Sequence, residues 1–354
     1  MGEKVLMKGN EAIAEAAIAA GCRHFFGYPI TPQTEVAAYM SKRMPKIDGV
    51  YLQAESEVAS INMVLGAGAA GVRVMTSTSS PGVSLMAEGI SYIAGSDVPC
   101  LIVNVQRGGP GLGGIQPSQA DYFQATKSTA HGDFHMLVFA PSTVQETVDM
   151  ISTAFDLGDK YRMPAMVLSD GMLGQMMEPV VLPDARDPDN DSKEWAACGH
   201  GNKREHNVVN SLYIDPRELE TLVRKRYERY AEIEENEQRA EEYLTDDADI
   251  IVVAYGSSSR VSRSAIDMAR KQGIKVGMVR PITLWPFPKK ALLKHADHAK
   301  AFLSVEMSMG QMVEDIKLAV ECKVPVEFYG RTGGVIPTPN EVLEQIIRIN
   351  GGDQ

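Results

Sequence analysis

Cysteine is scarce in this 354-residue chain: the four residues Cys22, Cys100, Cys198 and Cys322 lie far apart, with no Cys-x-x-Cys pair. That spacing excludes a local iron–sulfur or zinc framework, so any electrons must leave through another chain. Long apolar runs are also missing. No stretch approaches the roughly 20 uninterrupted apolar residues a bilayer span needs, and the opening Met-Gly-Glu-Lys-Val-Leu-Met-Lys lacks the apolar block and cleavage site of an export signal. A cytoplasmic location with no membrane partner is expected. Positive charge is in deficit, 35 Lys and Arg against 46 Asp and Glu for a net −11. No global basic field is available to hold a polyphosphate backbone, so nucleic acid is not an expected partner. The rest is ordinary globular composition, 44% hydrophobic and 23% charged, in a length that suits about two domains.

The hydrophobic pattern alternates. Residues 9–21 carry apolar side chains at helical spacing, with Asn10 as an N-cap and Gly21 as terminator. A strand at 24–28 follows, broken by Pro29 and Pro32. Strand-like 50–53, helix-like 56–67, strand 72–76, helix 83–94 and strand 100–105 continue the series, with another strand at 165–168. Such alternation predicts an α/β fold with mainly parallel sheets covered by helices. Residues 184–210 are polar and aperiodic, a surface excursion. Asp215-Pro216-Arg217-Glu218 then opens a charged helix, solvated or interdomain, that the pattern carries to Tyr243. A second α/β unit starts with the apolar run 250–255, continues through 276–279 and 301–305, and ends in a helix at 340–349. The expected division is 1–185, a polar excursion and linker helix at 186–245, and 246–354.

Several motifs invite chemistry. Gly66-Ala67-Gly68-Ala69-Ala70-Gly71 matches the dinucleotide fingerprint G-x-G-x-x-G, but it closes a helix and precedes a strand, the reverse of the order that puts pyrophosphate on a helix N-terminus. Close helix packing is the better reading of its small residues. Cys198, His200 and His206 form an incomplete zinc-like group, and His131-x-x-x-His135 is interrupted by Gly132 with no third ligand near. Three turns rich in glycine and hydroxyls follow strands: 76–82, 107–114 and 256–259. Ligands of open α/β sheets bind beyond the carboxyl ends of the strands, so two of these turns are expected to converge with the turn at 28–34. Arg107 is suited to hold a carboxylate through two parallel hydrogen bonds. Glu55 and Glu57 sit where a strand meets a helix almost free of charge. A helix dipole alone explains an acid there, and catalysis requires that one of them point into a site.

Tyr28-Pro29-Ile30-Thr31-Pro32, then Gln53-Ala54-Glu55-Ser56-Glu57 before the small-residue helix, then Arg107-Gly108-Gly109-Pro110-Gly111 occur in that order. In combination they resemble the alpha subunit of thiamine-diphosphate-dependent 2-oxoacid:ferredoxin oxidoreductases, and residues 111–127 look most like the 2-ketoisovalerate, branched-chain branch. The resemblance spans nearly the whole chain. It implies a pyrimidine-binding thiamine diphosphate domain in 1–185 and a transketolase C-terminal-like domain in 246–354. It also implies an enzyme, active only in complex, that oxidatively decarboxylates a 2-oxo acid to acyl-CoA and CO2 and passes electrons to ferredoxin. Beta and gamma- or delta-type subunits would supply the diphosphate site, Mg2+ and the iron–sulfur clusters, because this chain has no Gly-Asp-Gly motif: Gly132-Asp133, Gly158-Asp159 and Gly352-Asp353 are followed by Phe, Lys and Gln. Carried over residue by residue, Glu57 is the catalytic acid–base that bonds the aminopyrimidine nitrogen. Pro29 and Ile30 line the cofactor ring, while Thr31 and Arg107 bind substrate. Glu55, two residues away, is the alternative register. No metal ligand is implied in this chain. The alternatives are the same chemistry on 2-oxoglutarate, pyruvate or an aryl pyruvate, or a non-catalytic assembly subunit that retains the domain.

Overall fold

The computed structural model describes residues 4–127, 129–188 and 193–351. The first half begins with β1 (Lys4–Lys8) and α1 (Gly9–Ala19), followed by β2 (His24–Gly27), α2 (Thr34–Arg43), β3 (Val50–Gln53) and α3 (Glu57–Ala69). The alternation continues through β4 (Val74–Thr78), α4 (Ser80–Gly95), β5 (Cys100–Gln106), α5 (Tyr122–Thr126) and β6 (Leu137–Phe139). It closes with α6 (Val144–Tyr161), β7 (Pro164–Asp170), α7 (Gly171–Gln175) and β8 (Met177–Val181). The long α8 (Pro216–Asn236) and β9 (Ala240–Tyr243) lead into β10 (Ile250–Val253), α9 (Gly256–Lys271), β11 (Val276–Pro281) and β12 (Thr283–Trp285). Last come α10 (Lys289–Ala296), β13 (Ala301–Glu306), α11 (Met312–Ala319), β14 (Val326–Gly330) and α12 (Pro339–Ile349).

A seven-stranded sheet in the order β12-β6-β7-β5-β4-β2-β3 is parallel except where β12 meets β6. Strands β5 and β7 are buried along their whole length, which is why both read as continuous apolar runs: a sheet covered on two faces has no solvent side. A five-stranded sheet, β14-β13-β10-β11-β9, is parallel except for β9. Strands β1 and β8 pair antiparallel on their own.

The glycine run of α3 ends the helix and leads to β4, with Gly71 at φ +92°. A Cβ at Gly68 would lie 2.6 Å from Val98 Cγ1, so glycine there permits close packing.

Two expectations are corrected. Asn10 does not cap α1, whose N-cap residue is Lys8; its side chain is buried and bonded elsewhere. Helix α8 ends at Asn236, not Tyr243, because residues 240–243 pair with β11. Side-chain pairing holds them there: Glu241 meets Arg280 on one face of β9 and Glu242 meets His295 on the other, the period-2 alternation of a strand. Strand β12, from the second half of the chain, pairs with β6 of the first sheet.

The halves are pinned together by Gln119. Its Nε2 donates to Tyr255 O at 2.8 Å, and its Oε1 accepts from Ser258 Oγ at 2.5 Å and Met307 N at 3.0 Å. Tyr122 adds a bond to Asp315 at 2.5 Å. Helix α8 is mostly exposed but anchors to the first half through Arg226 and Arg229 on Asp97.

Candidate functional site

The carboxyl ends of β2, β4 and β5 lie side by side, which brings the turn 28–32, the loop 79–82 and Arg107 together. Buried side chains hold the turn by its carbonyls. Asn10 Nδ2 donates to Pro32 O at 2.7 Å, Gln33 Nε2 to Tyr28 O at 3.1 Å and Arg107 Nη1 to Thr31 O at 3.0 Å. Ser77 Oγ fixes the Gln33 amide at 2.7 Å. Pro29 and Ile30 are half-buried on this turn, and Thr31 is exposed.

Arg107 is only 9% exposed. Its second terminal nitrogen reaches Leu112 O at 3.3 Å, its Nε is buried with no partner, and among the described residues no Asp or Glu pairs with it. A buried guanidinium held by neutral carbonyls and facing no acid is a cation that an incoming carboxylate can satisfy.

Glu57 opens α3, whose N-cap is Ser56, the hydroxyl accepting from Ala59 N at 3.2 Å. Glu57 is 5% exposed, whereas Glu55 faces solvent, so the two do not share a face. Among the described residues nothing donates a hydrogen bond to the Glu57 carboxylate. It lies against Gly82 in the first turn of α4: a Cβ there would meet Thr78 Oγ1 at 1.9 Å and Glu57 Oε1 at 3.0 Å. Thr78 Oγ1 is itself buried, without a partner among the described residues. The arrangement is a buried carboxyl, a hydroxyl without a partner among the described residues, and a residue with no side chain between them. It can accept or donate a proton to a polar ring that enters beside Gly82.

Behind this face runs a network that sequence reasoning missed. Asp121 Oδ2 accepts from Ser80 Oγ at 2.5 Å and Asn104 Nδ2 at 2.9 Å, while Ser80 Oγ accepts from Arg107 N at 3.0 Å. Burial pushes the Asp121 carboxyl up, against the pull of those two bonds. Asn10 and Gln33 were missed as well. The only available signal was a polar residue inside an otherwise apolar pattern, and for Asn10 the N-cap rule offered a competing explanation.

The loop 256–259 does not join the site. It is buried between the halves, where Ser257 Oγ bonds Asp170 Oδ2 at 2.6 Å. His135 stacks on Trp285 with centroids 4.8 Å apart, and His131 lies on Ser91. Cys198 accepts from Arg204, and among the described residues no three His, Cys, Asp or Glu side chains gather into a metal-holding group.

Residues 15–247 match the family described as pyruvate flavodoxin/ferredoxin oxidoreductase, thiamine diphosphate-binding, and residues 248–342 match pyruvate:ferredoxin oxidoreductase core domain II. The chain belongs to the 2-oxoacid:ferredoxin oxidoreductase family. It is 50% identical over 346 residues, 98% of each chain, to the ketoisovalerate oxidoreductase subunit VorB of Methanothermobacter thermautotrophicus. The 2-oxoglutarate synthase subunit KorA of the same organism is 36% identical, covering 99% of this chain and all of that protein. A solved 2-oxoglutarate:ferredoxin oxidoreductase from Magnetococcus marinus superposes with a TM-score of 0.86 at 28% identity; the match covers 98% of this chain, which spans 65% of that one. A split-gene transketolase, at 14% identity and a TM-score of 0.60, shares the fold. The family and the α/β fold read from the sequence are thus both found. As in the relatives' names, the chain is an oxidoreductase subunit carrying a family domain for thiamine diphosphate.

Proposed function

We propose that this chain supplies the aminopyrimidine side of a thiamine diphosphate site in a complex that oxidatively decarboxylates 2-ketoisovalerate to acyl-CoA and CO2. The observation that carries the reading is the Glu57 carboxyl, on a residue only 5% exposed and bonded by no donor among the described residues, beside Gly82 and Thr78. Those groups fit an aminopyrimidine edge, which offers a ring nitrogen to a carboxyl and an amino group to an acceptor. When bound, thiamine diphosphate supplies the carbon nucleophile and the electron sink for decarboxylation. Glu57 holds and exchanges the proton at the pyrimidine nitrogen, Pro29 and Ile30 pack against the ring, and Arg107 with the Thr31 hydroxyl orients the substrate carboxylate. The greater identity to the ketoisovalerate relative than to the 2-oxoglutarate one, 50% against 36%, favours a branched substrate.

The remaining parts belong to partner chains. Without a Gly-Asp-Gly motif, the diphosphate and Mg2+ fall to a beta-type subunit, and the iron–sulfur clusters that feed ferredoxin fall to beta and gamma- or delta-type chains. Cys22 and Cys100 are buried, with thiols pushed up to about 12 by loss of water, a poor state for cluster ligation. The exposed apolar side chains of Leu52, Val58 and Leu85, on β3, α3 and α4, suit a partner subunit. We assign residues 1–185 to the pyrimidine-binding domain, 186–245 to the connection and 246–354 to the C-terminal domain, with β9 and β12 crossing between them. Among the described residues no helix is long and apolar enough to cross a membrane, and we assign the complex to the cytoplasm.

The test is a pull-down of the tagged chain from its native host, assayed for CoA-dependent viologen reduction with several 2-oxo acids. Highest activity with 2-ketoisovalerate is expected. A partner-free protein without thiamine-dependent activity refutes the proposal.

A further inference from the structure

Beside Thr31 lies a cleft of about 400 Å3 whose walls include Thr31, Pro32, Ile115, Pro117, Met172 and Ile336. Among the described residues, none of its lining side chains carries a charge. Four segments build it: the turn after β2, the end of the glycine-rich loop, the start of α7 and the connection between β14 and α12. The last belongs to the C-terminal half, where none of the candidate site residues read from the sequence lies.

Glycine lets that connection come so near. Gly333 and Gly334 have φ of +68° and +96°, the left-handed region that side chains disfavour. A Cβ on Gly334 would lie 2.4 Å from Gln116 Cβ, and one on Gly108 would lie 3.3 Å from the Gly333 carbonyl carbon. The connection is therefore laid directly on the loop that Arg107 begins. Arg107 ties to the cleft in two further ways: it bonds Thr31 O, and its backbone bridges to Pro117.

We propose that this cleft receives the alkyl side chain of the 2-oxo acid, and that Ile336 of the C-terminal half, which lines it together with Met172 and Ile115, limits its size. The inference rests on the function proposed above. A substrate whose carboxylate is held at Arg107 and Thr31 has its alkyl group next to the cleft mouth, where burial against Ile and Met side chains is favourable. A second carboxylate, as in 2-oxoglutarate, would leave water there without meeting a cation. The device selects by size and by lack of charge.

The test uses the complete complex carrying Ile336→Phe, Met172→Phe or Ile336→Ala, with kcat/KM measured for pyruvate, 2-ketoisovalerate and 2-oxo-4-methylpentanoate. One methylene changes discrimination in an apolar pocket by about 10- to 200-fold. Each Phe variant should accordingly lower the ratio of 2-ketoisovalerate to pyruvate by about tenfold or more. Ile336→Ala should raise the ratio of the longer acid to 2-ketoisovalerate by about threefold or more. Ratios within twofold of wild type overturn the proposal, and if the Phe variants fail to assemble, the Ala variant decides alone. A wild-type complex inactive on every 2-oxo acid overturns the functional reading and the proposal together; an active one with unmoved ratios overturns the proposal only.

Discussion

Replacing Arg107 by Met keeps an apolar stem of similar length and removes the guanidinium. In the folded chain the loss is two bonds to neutral carbonyls, at 3.0 Å to Thr31 O and 3.3 Å to Leu112 O. Each is worth about 1 kcal/mol net, and relief of an unpaired buried charge offsets part of that. Stability should shift by no more than about 2 kcal/mol, small enough to leave the fold intact. Catalysis should suffer more. If the guanidinium meets the substrate carboxylate in a desolvated site, removing it costs about 2–5 kcal/mol, or roughly 30- to 5,000-fold in kcat/KM. The assay is the initial rate of CoA-dependent dye reduction across a range of 2-oxo acid concentrations, with Arg107→Lys in parallel. Lysine restores the charge without the fork, so it should recover part of the loss. A kcat/KM for Arg107→Met within threefold of wild type would refute the carboxylate role.

Three other outcomes follow from the geometry. Gly82→Ala drives a methyl to 1.9 Å from Thr78 Oγ1 and 3.0 Å from Glu57 Oε1, so it should weaken thiamine diphosphate binding at least tenfold; calorimetric titration of the complex showing unchanged affinity would contradict it. Gln119→Ala strands Tyr255 O and Met307 N in the buried seam and should cost about 2–5 kcal/mol, read as a lower urea midpoint. Burial pushes Glu241 up, but bonds from Arg280 and Arg263 outweigh it and hold its carboxyl below the ordinary range. A depressed carboxylate stabilises the fold above its unfolded pKa and loses that contribution as pH falls through the folded one. Arg280→Met should accordingly move acid unfolding to higher pH, and an unmoved midpoint by circular dichroism would count against the pairing.

Much of the fold was legible because β5, β7 and β10 are buried on both faces and write themselves as apolar runs. Strand β9 was not, because Ala-Glu-Glu-Tyr has no apolar face and continues a helix-forming sequence; pairing with β11 and salt bridges to two neighbouring elements override local propensity. Strands β1, β6, β8 and β12 are short and depend on distant partners. In the site, Tyr28 to Pro32, Glu57 and Arg107 were legible as motifs, and the exposure difference between Glu55 and Glu57 is what structure adds. Asn10, Gln33, Ser80, Asn104 and Asp121 were illegible, since each acts through a bond to a residue well separated in sequence.

Glu57→Gln is the most direct test of the central claim. Glutamine keeps the shape and buried position but cannot hold and release the proton. In the reconstituted complex, with cofactor binding checked by calorimetry, kcat for 2-ketoisovalerate-dependent, CoA-dependent dye reduction should fall by about 10²- to 10⁴-fold, whereas Glu55→Gln should stay within about threefold of wild type. Full turnover by Glu57→Gln would contradict the account and leave the chain an assembly subunit.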